Sequence, residues 1–104
     1  MKRLTIADLP DAPLEAARAF HADWLARAEA LLAEDDLLIA LPPADHTHAE
    51  WRSAAAAMLA RAGVPRRAFV VAGEGRALDE TERFLAAAPG ITGQYLETAR
   101  EGVA

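Results

Sequence analysis

The sequence contains no cysteine, and it has one lysine (Lys2), one serine (Ser53) and one tyrosine (Tyr95). Without cysteine, a disulfide framework, a thiolate metal site and a cysteine nucleophile are all excluded. No stretch approaches the roughly 18 consecutive apolar residues that cross a bilayer. Met1 to Pro10 carries Lys2 and Arg3 but no apolar run of signal-peptide length. The expectation is therefore a cytoplasmic chain with no membrane partner. Basic residues are also outnumbered, 11 against 16 acidic ones, for a net charge of −5. The only adjacent basic pairs are Lys2-Arg3 and Arg66-Arg67, too few for the basic patch that nucleic-acid binding requires, so no nucleic-acid partner is expected.

What is present suits one globular domain spanning residues 1–104. At 53% hydrophobic and 26% charged residues the chain is far from disordered composition. A chain of this size buries roughly two-thirds of the surface its unfolded form exposes, enough for one core. Alanine dominates the apolar fraction, so helix contacts are expected to be close and shallow.

Arg3-Leu4-Thr5-Ile6-Ala7 alternates polar and apolar residues and predicts a half-buried strand. Asp8, Pro10, Asp11 and Pro13 break it. Leu14, Ala17, Phe20, Trp24, Ala28 and Leu31 then recur at helical spacing, with Arg18, Asp23, Arg27 and Glu34 largely off that stripe; this predicts an amphipathic helix over 14–33. Asp35-Asp36 is expected to end it as a solvated loop. Leu37 to Leu41 is continuously apolar, the pattern of a strand covered on both faces. Thr47-His48-Ala49-Glu50 has the capping-box form, predicting a helix from there to Ala62, with Gly63 in a left-handed terminal conformation before Pro65. Ala68 to Ala72 is a second wholly apolar strand. Asp79 and Glu82 suggest a cap for a shorter helix running to Ala88, Ile91 to Thr98 reads as an edge strand, and residues 98–104 as a frayed tail. The order β-α-β-α-β-α-β predicts an α/β domain with a mainly parallel four-stranded sheet.

That order bears on assembly. Strands in chain order joined by right-handed crossovers would set all three helices on one face, yet the two inner strands are apolar throughout. Either the strand order doubles back or a second chain covers the bare face, and a homodimer is the expectation. The Ala54–Ala57 run would permit close helix approach across such an interface, or would equally pack on its own sheet.

Ala68-Phe69-Val70-Val71-Ala72-Gly73 resembles the V-N-A-V-x-P-G strand that follows the catalytic helix of short-chain dehydrogenase/reductases. Phe84-Leu85, Pro89-Gly90 and Thr92-Gly93-Gln94-Tyr95-Leu96 continue that family's helix, turn and T-G-Q-x-L strand in order. The resemblance covers residues 37–98 and implies a small Rossmann-like domain, a truncated and degenerate relative. Two features on which the family's chemistry depends are missing. Its glycine-rich dinucleotide turn would fall at Ala7-Asp8-Leu9-Pro10-Asp11, which has no glycine and two carboxylates. Counting back without gaps, Pro42 and His46 stand where its Tyr-x-x-x-Lys pair would be, and Tyr95 has no lysine four residues on. No cofactor and no catalytic residue are therefore expected.

The remaining chemically suggestive stretch is Asp45-His46-Thr47-His48-Ala49-Glu50, after a strand's carboxyl end. His46, His48 and Glu50 are weak candidates for a divalent metal; their other reading is as polar residues at a helix start. Gly73-Glu74-Gly75-Arg76 reads as a plain strand-to-helix turn, Trp24 and Trp51 as core or interface anchors, and Ser53 as mid-helix without a nucleophile elbow. The functional expectation is a non-catalytic scaffold or interaction domain, a homodimer or accessory subunit. The alternative is a small-ligand or divalent-metal-binding protein using residues 45–50.

Overall fold

The computed structural model of the chain describes residues 1–98. Four parallel strands, β1 (Lys2–Thr5), β2 (Leu37–Leu41), β3 (Ala68–Ala72) and β4 (Gln94–Glu97), lie side by side in chain order. The first connection is helical from Pro13 to Leu32: α1 (Pro13–Ala19), a π-helical turn (Phe20–Trp24) and α2 (Leu25–Leu32). The second holds a 3₁₀ turn (His46–His48) and α3 (Ala49–Ala62), the third α4 (Gly75–Ala86). This is the predicted α/β, Rossmann-like, four-stranded parallel sheet.

Strand alternation sorts the core into two layers. Leu4, Leu37, Ile39, Leu41, Ala68 and Val70 face Phe20, Ala28 and Leu32 of the first helical stretch and Ala55, Ala56 and Leu59 of α3. Leu38, Ala40, Phe69 and Val71 point the other way, onto Leu78 and Leu85 of α4. Every residue of β2 and β3 is buried within the single chain. The strand order neither doubles back nor leaves a face bare. Instead the β3–α4–β4 connection has the opposite hand to the first two, a departure from the one-handed rule that underlay the sequence expectation. Gly75, at φ +61°, occupies the bend where the chain leaves β3 for that other face. The apolar strands thus give no independent reason for a second chain. Within the alanine run, Ala55 and Ala56 pack on the chain's own sheet while Ala54 stays exposed.

Several local expectations are corrected. Leu14 is exposed; farther along, Leu32 is fully buried while Leu31 packs on the core only half-buried, because the π-helical turn between them and Leu14 shifts the apolar stripe partway along the helix. The Thr47–Glu50 capping box does not form. Asp45 is the cap, accepting hydrogen bonds from the Thr47 N–H (2.9 Å) and hydroxyl. Gly63 is not left-handed (φ −94°); it is there for space, since a Cβ would run into the side chain of buried Leu32. α4 begins at Gly75, so Asp79 and Glu82 lie inside the helix. One turn apart on one side, they both accept from Arg3 across the sheet, at 2.9 and 2.8 Å. Asp35 and Asp36 are not a free solvated loop: Asp35 pairs with the N-terminal ammonium at 3.2 Å and Asp36 with Arg67 at 2.9 Å. The outer strands are shorter than expected. Of the tail, Thr98 donates its N–H to the Ala72 carbonyl, and 99–104 lie outside the described residues.

Candidate functional site

A parallel sheet gathers its loops at the carboxyl ends of its strands, where ligands of open α/β domains bind. Here that end holds a cleft of about 420 Å³ between the β1–α1 loop (Ala7, Leu9, Pro10, Asp11) and the β2–α3 loop (Pro42, Pro43, Ala44, Asp45), floored by His48 and Arg52. Prolines fix both loops and leave few backbone donors along their walls. Asp45 at the rim is exposed, and the hydrogen bonds from the Thr47 hydroxyl and then its N–H hold the carboxyl below its usual range.

His48 is 7% exposed. Its Nε2 lies 2.9 Å from the Asp11 carbonyl oxygen, and its Nδ1 accepts from the Trp51 indole N–H at 3.0 Å. Those two partners fix the tautomer with the proton on Nε2 and leave neither nitrogen free. Trp51 in turn packs on buried Phe20, ring centroids 5.6 Å apart, so the histidine staples α3 to the β1–α1 loop. His46 and Glu50, the other metal candidates, are exposed. Among the described residues no three His, Asp or Glu side chains converge to hold a metal ion. Sequence position brought 45–50 together along the chain, but the hydrogen bonds of His48 withdraw it from ligation.

Arg52, one helical turn beyond His48, is the residue that sequence reasoning passed over. It is only 3% exposed. One terminal nitrogen, Nη1, donates to the Pro42 carbonyl (2.9 Å) and the Tyr95 hydroxyl (3.3 Å). The guanidinium carbon lies 5.7 Å from the Trp51 ring centroid and 5.9 Å from that of Tyr95, within cation–π range of both. Its enclosed Nε–H has no acceptor among the described residues, and no described carboxylate forms an ion pair with it. The signal available in the sequence was the four-residue spacing His48-x-x-x-Arg52 at a helix start, which puts both side chains on one face.

The family model of short-chain dehydrogenase-like proteins matches residues 4–98. The chain belongs to that family. No curated protein and no solved structure gives a significant match. As a short-chain dehydrogenase-like protein it would be expected to hold a dinucleotide, and its residues do not fit one. The β1–α1 loop has no glycine to bring backbone N–H groups close to a diphosphate. It exposes Asp8 and Asp11, and Ala12, which caps α1, offers no side-chain donor. The ungapped count that set Pro42 and His46 against the Tyr-x-x-x-Lys pair lands in the loop and the 3₁₀ turn. The positions four apart at the start of the helix are His48 and Arg52. Arginine stays protonated and the histidine nitrogens are both engaged, so neither residue is set up to pass a proton.

Proposed function

We propose that this short-chain dehydrogenase-like protein is a non-catalytic scaffold or interaction domain, working as a homodimer or as an accessory subunit. The observation that carries this reading is the commitment of His48 to Asp11 and Trp51 at the helix start where such proteins would carry out proton transfer. The glycine-free, acidic β1–α1 loop supports it by opposing a diphosphate. A partner surface is supported by exposed Phe84 on α4, beside a shallow groove shared with Leu96 of the edge strand β4. An exposed aromatic next to a strand edge that is unpaired among the described residues is the kind of surface proteins usually cover.

Light scattering coupled to size-exclusion chromatography should give twice the 11.1 kDa chain mass, or a complex with a co-purifying protein. Titration with NADH and NADPH should leave the melting temperature unchanged. A strict monomer with no partner would overturn the assembly half of the reading. A saturable cofactor-dependent rise in melting temperature would overturn the non-catalytic half.

A further inference from the structure

We propose that the cleft at the carboxyl ends of β1 and β2 is a binding site for a small monocarboxylate, whose carboxylate pairs with Arg52. A buried guanidinium cannot escape its charge by losing a proton. Burying it alone is costly, and buried charges are ordinarily paired. Arg52 is nine-tenths buried and more, lines the cleft, and has no carboxylate partner among the described residues. Its hydrogen bonds among the described residues all leave from Nη1. Nη2 donates to nothing among the described residues and, unlike the enclosed Nε, is not shut off by protein, so it is the donor a carboxylate in the cleft would meet through a charge-assisted hydrogen bond.

The cleft walls select the rest of the ligand. Ala7, Leu9, Pro10, Pro42, Pro43 and Ala44 add apolar patches to an otherwise mixed lining, enough for a short hydrocarbon body, and about 420 Å³ suits a small molecule. Asp11 and Asp45 at the rim are exposed and carry negative charge where a ligand would enter. They oppose a dianion such as phosphate more strongly than a single carboxylate. Water screens the exposed rim charges more than the buried Arg52 charge, so one negative charge at the floor is favoured. The site does not depend on the assembly reading: a monomer that binds carboxylate keeps this proposal, and a dimer that does not loses it.

The test is titration of the full-length, ¹⁵N-labelled chain with butyrate, butyramide and inorganic phosphate, following the Arg52 Nε–H resonance and the melting temperature. Butyrate should shift that resonance saturably and raise the melting temperature. Butyramide, the same shape without charge, should bind at least about thirtyfold more weakly, and phosphate should not compete. Arg52→Met should abolish the butyrate-dependent rise. Ala44→Phe, which fills the cleft without touching the guanidinium, should do the same and serves if the arginine variant fails to fold. No response to butyrate, an equal response in Ala44→Phe, or tighter binding of phosphate would overturn the proposal.

Discussion

Two arginines mark opposite ends of the sheet, and their surroundings differ. At the amino end, Arg67 is satisfied by its own chain. Its Nε and backbone N–H both donate to the Asp36 carboxylate, and its Nη1 donates to the Leu85 and Ala88 carbonyls at the end of α4. It ties β2, β3 and α4 together, placing positive charge where the helix dipole is negative. At the carboxyl end, Arg52 is buried more deeply, yet has two neutral acceptors, two aromatic rings and no described counter-ion. The first is a structural joint. The second has an unmet electrostatic requirement beside a cleft, the condition in which a ligand gains most from supplying the missing charge.

The sharpest way to break this comparison is to remove each arginine in turn. Arg67→Met should strand the partly buried Asp36 carboxylate and two helix-end carbonyls. It should cost about 2–3 kcal/mol in urea unfolding, somewhat below a fully buried pair because both partners keep some solvent. A loss under about 1 kcal/mol would show that the joint is not structural. Next in size is Asp45→Ala, which removes the cap on the 3₁₀ turn leading into α3 and should cost about 1 kcal/mol. Thr47→Ala should cost less, since the Asp45 carboxylate would keep the Thr47 N–H.

Arg52→Met should change stability by no more than about 1 kcal/mol in either direction. The lost hydrogen bonds and ring contacts are offset by relief from burying an unpaired charge in a matching apolar stem. A destabilisation as large as that of Arg67→Met would erase the distinction between the two ends. The smallest effect concerns acid. Glu34, Asp35 and Asp45 all have carboxyls held below their ordinary range, by Lys2, by the N-terminal ammonium and by Thr47 respectively. A depressed folded-state value means stability that is present above the unfolded carboxylate pKa of about 4 and is lost as pH falls through the folded values. Melting temperature measured from pH 7 to pH 2 should therefore hold to about pH 4 and decline below it. Asp45→Asn should soften that decline, whereas Arg52→Met should leave its slope alone.

Elements that depend on short-range pattern were legible from the residues. The all-apolar segments 37–41 and 68–72 are the inner strands, with the boundaries the pattern gave. The boundaries that failed did so because a local signature had a competing partner. Asp79 and Glu82 resemble a helix start, but three residues apart inside a helix the same two side chains share a side and clasp Arg3. Thr47 resembles a cap, but Asp45 reaches the free N–H first, and the hydroxyl becomes its donor. At the site, the stretch 45–50 was rightly placed at a strand's carboxyl end. Which of its side chains remain free for chemistry depended on Trp51 and Asp11, residues that sequence distance does not tie to His48.

Composition and hydrophobic period by themselves determined that this chain builds one α/β layer structure, because burial of apolar residues at fixed spacing admits few alternatives. Only the tertiary structure decided which side of the sheet α4 covers, which carboxylate meets which arginine, and that Arg52 meets none among the described residues. Those outcomes rest on distances between residues far apart in the chain, and the energy of a charge is set by what lies within a few ångströms of it, not by its neighbours in sequence.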